Sequence, residues 1–133
     1  MPVSPINEMK AASPRSGGGA LSGLGNILDE LYSVIEARKR ERPDGSYTTY
    51  LFNSGLDKIL KKIAEEAGEV IIASKNGLSE RVAEETADLL YHILVLLCEC
   101  GVGLAEIREE LMRRRSDSKP DAAEGENQAR TVK

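Results

Sequence analysis

The segment Lys61-Lys62-Ile63-Ala64-Glu65-Glu66-Ala67-Gly68-Glu69 combines apolar residues at helical spacing with several carboxylates. A helix advances about 100° per residue, so Glu66 and Glu69 lie about 60° apart and one turn along. The angular neighbours of Glu66 include Ile59 and Val70, so its side chain borders the surface that must pack. The segment therefore predicts a helix that carries an i, i+3 pair of acids into or beside the core.

A second acidic segment, Glu84-Glu85-Thr86-Ala87-Asp88, repeats this arrangement further along the chain. Glu85 and Asp88 are again three residues apart, and Leu89 continues the apolar face beside them. If the two helices pack antiparallel, four carboxylates converge between them. One like-charged pair at about 4 Å costs about 4 kcal/mol at an effective dielectric of 20, so the acids need a neutralising partner.

A hard divalent cation is the simplest partner for such a group of acids. The chain has one histidine and two cysteines, and all-oxygen ligation suits magnesium, manganese or calcium rather than zinc. The candidate metal ligands are Glu66, Glu69, Glu85 and Asp88. The alternative is a solvated acidic face that forms salt bridges with Lys62 or Arg81.

Start and stop signals divide the rest of the chain into further helices. The helix of the first acidic segment should run from about Leu56 to Lys75 and stop at Asn76-Gly77. The next should begin at Ser79 and continue to about Cys100, before Gly101. A last short helix should run from Leu104 to about Arg115.

Upstream, Asn26 is the expected cap of a first helix that ends in the basic run 38–42. Pro43-Asp44-Gly45 is a turn signal. The segment 46–52 is rich in hydroxyls and aromatics, and it fits a short helix capped by Ser46. Its alternation also fits a strand, but no partner strand is found elsewhere in the sequence.

The 133 residues allow one domain at most. Residues 1–25 are rich in Pro, Gly and Ser, and residues 116–133 are polar with almost no large apolar side chains. Such compositions do not bury enough surface to offset ordering entropy. We therefore predict a disordered N-terminal arm at 1–25, an all-α domain at 26–115 and a disordered tail at 116–133.

Composition also narrows location and partners. The net charge of −4 argues against a nucleic-acid binder. No signal peptide is evident, and the most apolar run, 89–98, is about half the length of a membrane span. Cys98 and Cys100 lack the spacing of a disulfide framework or metal site, and we expect two buried apolar residues. These features indicate a cytoplasmic protein with no membrane or nucleic-acid partner.

The helix beginning at Ser79 is apolar nearly all round from Leu89 to Leu97, so it must be covered on every side. One subunit can hardly supply that cover. We predict an all-α antiparallel bundle of about four helices per subunit, completed by homodimerisation. Tyr91 points away from the acids and is a candidate for the dimer interface.

Glu65-Glu66-x-x-Glu69 followed by Glu85-x-x-Asp88 resembles the metal-binding signature of the all-α nucleoside triphosphate pyrophosphatase superfamily, of the MazG and dimeric dUTPase type. Flanking blocks are similar to those of the phosphoribosyl-ATP pyrophosphatase family of histidine biosynthesis. These blocks are 31–39, Asp44-Gly45-Ser46-Tyr47-Thr48, Leu51-Phe52, Gly55 with 58–62, and Ala87-Asp88-Leu89-Leu90-Tyr91-His92. The resemblance spans about Leu28 to Arg115.

The resemblance implies Mg²⁺-dependent hydrolysis of the α-β phosphoanhydride of phosphoribosyl-ATP, giving phosphoribosyl-AMP and pyrophosphate. In some relatives a cyclohydrolase domain comes first, and the short arm here favours the stand-alone form. The resemblance and the helical geometry together point to Glu66, Glu69, Glu85 and Asp88 as metal ligands. One of these acids is instead a candidate to polarise the attacking water, and Glu65 and Glu66 are the candidate catalytic residues. Glu65 fits equally well as a surface residue.

Each candidate substrate residue has a structural alternative. Lys62 fits either a substrate phosphate or a pair with Glu66, and Lys61 and Lys75 fit equally well as surface cations. Arg38 and Lys39 are candidates for the ribosyl phosphate, although basic helix ends occur without ligands. The same choice between substrate contact and a structural role, either capping or packing, applies to Ser46, Tyr47 and Thr48. His92, one turn after Asp88, fits either a partner of an acidic ligand or a hydrogen-bonded core histidine.

Two other functions remain open. One is a house-cleaning pyrophosphatase of the same superfamily that acts on nucleoside or deoxynucleoside triphosphates. The other is a non-catalytic helical dimerisation module whose acids form only a polar seam.

Overall fold

The computed structural model describes residues 23–118, which form five α-helices and no strand. In chain order they are α1 Gly23–Glu41, α2 Tyr47–Ser54, α3 Leu56–Lys75, α4 Ser79–Cys100 and α5 Leu104–Asp117. The all-α prediction is confirmed, with five described helices where about four were expected. Most of the predicted arm and tail, at residues 1–22 and 119–133, lies outside the described residues.

The start of α1 differs from the expectation. The helix already includes Gly23, so Asn26 lies inside its first turns and is not the cap. Asn inside a helix costs less than about 1 kcal/mol relative to Ala, too little to force the helix to begin there. Capping preference alone therefore misplaced this boundary by one turn.

The other helix ends lie at the residues from which they were predicted. Ser46 has an extended backbone, and its Oγ accepts a hydrogen bond from the Thr49 amide, so it caps α2. Gly77 and Gly101 have φ angles of 68° and 71°, the left-handed conformation that ends a helix. The predicted bounds of α3 and α4 are confirmed.

The core lies where α1, α2, α3 and α4 meet. Ile35, Leu51, Ile59 and Val95, one from each helix, are fully buried. α3 and α4 are joined by residues 76–78, and a connection this short makes neighbouring helices antiparallel. The acid-bearing faces of these two helices therefore meet.

Two expectations about α4 were wrong. Tyr91 was assigned to a dimer interface, but it is 1% exposed because α2 packs over it within the same chain. Cys98 and Cys100 were both expected to be buried, but only Cys98 is. Positions two apart on a helix diverge by about 160°, so both thiols cannot face one core.

The chain divides into two compact units between Gly103 and Leu104. The helix of the second unit, α5, has no buried residue and carries local ion pairs from Glu110 to Arg113 and Arg114. No single described helix is long and apolar enough to cross a membrane, and α4 with α5 passes only when the two are counted as one broken span.

Candidate metal centre

Three carboxylates converge between α3 and α4. Glu66 comes from α3, and Glu85 and Asp88 come from successive turns of α4. One oxygen of each lies within 4.8 Å of the others, and all three residues are half-buried. We call these three residues the acid cluster. The helical spacing of the acids and the antiparallel packing of the two helices bring them together.

The acid cluster resists full ionisation. Burial, followed by a hydrogen bond to Glu85 and the charge of Asp88, raises the pKa of Glu66 from 4.5 to about 7, although Lys62 opposes the shift. Burial and the charges of Glu85 and Glu84 also raise the pKa of Asp88, again against Lys62. With a pKa of about 7, Glu66 is partly protonated near neutral pH, and a bound cation would displace that proton.

The donor set fits a hard divalent ion. Oxygens on opposite sides of a magnesium ion are about 4.2 Å apart, and those around calcium are up to about 5 Å apart. The acid-cluster oxygens, all within 4.8 Å of one another, fit inside the calcium spacing and would need to close by about 0.6 Å to match magnesium. No cysteine or histidine belongs to this cluster, which disfavours zinc.

Two other acids predicted for the site are placed differently. Glu69 is exposed and does not belong to the acid cluster. The Glu65 carboxylate lies 3.3 Å from the Lys62 ammonium and 4.0 Å from that of Lys61. Glu65 is thus held by lysines on its own helix. Lys62 also lies close enough to lower the pKa values of Glu66 and Asp88, so it borders the acid cluster.

Arg81 contacts the acid cluster directly. Its guanidinium donates to Glu85 Oε1 at 2.8 Å, and the Glu85 side chain is only 13% exposed. This is one of the two ion pairs that the sequence offered as an alternative to a metal. The pair neutralises one acid, but among the described residues Glu66 and Asp88 have no ion-pair partner. Arg81 therefore leaves the acid cluster incompletely neutralised.

The hydroxyls proposed to bind substrate already have partners in the chain. The Ser46 hydroxyl caps α2, and this residue stays half-buried. Tyr47 and Thr48 are 6% and 1% exposed. Tyr47 bonds His92, and Thr48 bonds the Tyr91 hydroxyl. Sequence reasoning missed these pairings because no local spacing links residues more than 40 positions apart.

His92 is a satisfied core histidine. Its Nδ1 lies 2.7 Å from the Asp88 backbone carbonyl, and its Nε2 lies 2.8 Å from the Tyr47 hydroxyl. A carbonyl only accepts, so Nδ1 carries the proton and donates. Burial lowers the pKa of this imidazole, which favours the neutral ring, so Nε2 accepts from Tyr47. We call Tyr47, Thr48, Tyr91 and His92 the hydroxyl–imidazole cluster.

The remaining predicted cations lie at helix ends. The Lys39 ammonium donates to the Cys98 carbonyl at 3.3 Å, lies 3.5 Å from Glu99 and stacks over Phe52. Cys98 is ten residues after Asp88, about 15 Å along α4, so Lys39 serves the opposite end of that helix. Arg38 is half-buried near the end of α1, and Lys75 is exposed at the end of α3.

Comparison with known proteins adds to this geometry. A family model described as phosphoribosyl-ATP pyrophosphohydrolase matches residues 28–115. A phosphoribosyl-ATP pyrophosphatase of Lactiplantibacillus plantarum is 55% identical over 87 residues, covering 65% of this chain and 82% of its own length. One from Listeria welshimeri is 57% identical over 88 residues, with 66% and 84% covered.

A longer relative matches over a segment of similar length. The histidine biosynthesis bifunctional protein HisIE of Bacillus subtilis is 54% identical over 91 residues, which cover 68% of this chain and 44% of that protein. The family match covers most of the helical region and includes every member of the acid cluster. This chain belongs to the phosphoribosyl-ATP pyrophosphohydrolase family.

Proposed function

We propose that this chain hydrolyses the α-β phosphoanhydride of phosphoribosyl-ATP, releasing phosphoribosyl-AMP and pyrophosphate, in histidine biosynthesis. The observation that carries the proposal is the convergence of Glu66, Glu85 and Asp88 in a chain that belongs to this family. The quoted relatives are named for this substrate, which favours it over the house-cleaning alternative. A reducing cytoplasm, with no membrane or nucleic-acid partner, remains the predicted setting.

The proposed cofactor is Mg²⁺. Glu66, Glu85 and Asp88 would hold the ion, and Glu69, one turn from Glu66, is proposed as a further ligand from the exposed side. When bound, the ion screens the charge of the phosphates and supplies electrophilic assistance to the anhydride. The support is the convergence of the three carboxylates together with the raised pKa of Glu66 and Asp88, which burial and the neighbouring acids cause despite the charge of Lys62.

The protein's own residues have distinct proposed tasks. Lys62, which borders the acid cluster, is proposed to bind a substrate phosphate, and Lys61, which shares Glu65 with it, is proposed to assist. Glu65, held by these two lysines, is proposed to orient the attacking water, and Glu66 is the alternative. Arg38, Ser46 and Lys75 are proposed as additional residues that contact the substrate. The contacts of Lys39, Tyr47 and Thr48 favour structural tasks for those three.

We also propose a homodimer. Large apolar side chains of α3 remain exposed in the single chain, and they recur along the helix at Leu56, Leu60, Ile71 and Ile72. Covering them with a second copy would remove an apolar face that a monomer leaves in water. Sedimentation should report a dimer for the unaltered chain and a monomer for Ile71→Lys, while Ser33→Lys, which adds the same charge at an exposed position of α1, stays dimeric. A monomeric unaltered chain would refute the dimer.

The function itself is tested by product analysis. Purified protein with magnesium is offered phosphoribosyl-ATP and, separately, each common nucleoside and deoxynucleoside triphosphate, and pyrophosphate release is measured. We expect kcat/KM for phosphoribosyl-ATP to exceed that for every plain nucleotide. A preference for a plain nucleotide would favour the house-cleaning function, and no release from any substrate would favour the non-catalytic module.

A further inference from the structure

Four polar side chains of the hydroxyl–imidazole cluster are almost completely buried between α2 and α4. Thr48, Tyr91 and His92 are each 1% exposed, and Tyr47 is 6% exposed. A buried polar group without a hydrogen bond costs about 1–3 kcal/mol, so such a group persists only where its partners are well placed. The two cross-helix bonds, Tyr47 with His92 and Thr48 with Tyr91, therefore fix how α2 lies on α4.

One of these two bonds is linked to the acid cluster. The Tyr47 hydroxyl donates to His92 Nε2, and His92 Nδ1–H donates to the carbonyl of Asp88. Both bonds are short, at 2.8 and 2.7 Å, and the Tyr47 and His92 rings meet edge to face. A continuous chain of hydrogen bonds thus runs from α2 to the backbone of an acid-bearing residue.

The Tyr47 hydroxyl is also within electrostatic reach of the acids. The negative charges of Glu66 and Asp88 both contribute to the raised pKa of its hydroxyl, after burial and Tyr91. The hydrogen bond of this hydroxyl goes to His92 and to neither carboxylate.

From this geometry we infer that Tyr47 and His92 are positioning residues, which hold the α4 turn of Asp88 against α2 and so preset the acid cluster. The inference assigns Tyr47 to the protein interior and not to substrate contact. Preset ligands bind an ion more tightly because less ordering is needed on binding. Its kinetic part rests on the proposed function, but its structural and ion-binding parts do not.

The hydrogen-bond direction can be tested without any activity. His92 is the only histidine in the chain, so side-chain ¹⁵N NMR reports one imidazole without ambiguity. We expect a neutral ring protonated at Nδ1 at neutral pH, and a shifted Nε2 resonance in Tyr47→Phe. A ring protonated at Nε2 would overturn the inference.

The positioning role is tested with a matched pair of variants. Tyr47→Phe and Tyr91→Phe each remove one buried hydroxyl from the contact of α2 with α4, but only the first removes the partner of His92. Both should lower the Tm to a similar extent. Tyr47→Phe should weaken Mg²⁺ binding about 10-fold, the lower end for partners of metal ligands, and lower kcat with little change in KM. Tyr91→Phe should change either quantity by less than about 3-fold.

Each alternative outcome has a distinct meaning. Equal effects of the two variants on ion affinity would overturn the positioning role, and a rise in KM alone for Tyr47→Phe would return Tyr47 to substrate contact. If Tyr47→Phe does not fold, ion affinity in His92→Gln against Tyr91→Phe makes the same comparison. If the unaltered chain releases no pyrophosphate from phosphoribosyl-ATP, the proposed function fails, while the NMR and ion titrations still test positioning.

Discussion

The acid cluster and the hydroxyl–imidazole cluster are neighbours, yet they differ in how far their members satisfy one another. Every member of the hydroxyl–imidazole cluster has a hydrogen-bond partner within the chain. In the acid cluster, Arg81 pairs with Glu85, and the carboxylates otherwise face each other. The first cluster stabilises the fold. In the second, repulsion between the carboxylates lowers the stability of the ion-free protein but leaves oxygen atoms available to bind a cation.

The largest expected effect comes from altering the acid cluster. Asp88→Asn should lower kcat/KM for phosphoribosyl-ATP at least about 10²-fold, since a charge that would hold the ion is lost. Without metal the same variant should keep or raise its Tm, because like-charge repulsion is relieved. Pyrophosphate release and thermal denaturation measure the two effects. Activity within a few-fold of the unaltered chain would show that hydrolysis does not need the charge of Asp88. Glu80→Gln serves as the control, because Glu80 is an exposed acid of the same helix outside the acid cluster.

The hydroxyl–imidazole cluster should respond in the opposite way. Thr48→Val removes one hydroxyl from a buried bond and should lower the free energy of unfolding by about 1–3 kcal/mol. KM should stay unchanged because the side chain is 1% exposed. Urea denaturation and steady-state kinetics provide the measurements. A raised KM with unchanged stability would assign Thr48 to the substrate.

The stability of the ion-free protein should depend on pH through Glu66. Its pKa is raised from 4.5 to about 7, so the folded state favours the protonated form. The contribution of this group is therefore complete below about pH 4.5 and is lost as the pH rises through about 7. With a chelator present, the Tm of Glu66→Gln should fall less over this interval than that of the unaltered chain. If Tm changes with pH equally in the two proteins, Glu66 does not titrate as described.

The smallest expected effect concerns Arg81. Its pair with Glu85 competes with a cation for the same carboxylate, and because the Arg81 side chain is 55% exposed, we expect the pair to be worth about 0.2–1 kcal/mol. Arg81→Gln should therefore tighten Mg²⁺ binding by about 2- to 5-fold, whereas Arg81→Lys should change it less. Calorimetric titration of the three proteins decides the point. Weaker binding in Arg81→Gln would mean that the guanidinium orients Glu85 for the ion.

The sequence predicted those features that depend on spacing within one helix. Gly77 and Gly101 marked the ends of α3 and α4, and the i, i+3 acids of two antiparallel helices indicated where carboxylates would meet. Helical spacing could not show that Glu69 would stay outside the acid cluster. The rotation of α3 about its own axis decides that, and tertiary packing sets the rotation.

Features that depend on two distant segments were not predictable in this way. Tyr91 was assigned to an interface because nothing in its own helix reveals that α2 covers it. The hydroxyls of Tyr47 and Thr48 were candidates for substrate contact, and their observed partners could not be foreseen because these lie more than 40 residues away. Buried cross-helix partners of this kind are visible only once the helices are packed.

Calorimetric titration of the metal-free protein with magnesium chloride near neutral pH tests the central claim most directly. We predict saturable binding to the unaltered chain with release of protons, because Glu66, whose pKa is raised to about 7, must ionise fully to bind the ion. The same titration of Asp88→Asn should show strongly weakened binding. Absence of binding to the unaltered chain, or equal binding by the variant, would contradict the assignment of the acid cluster as a metal centre.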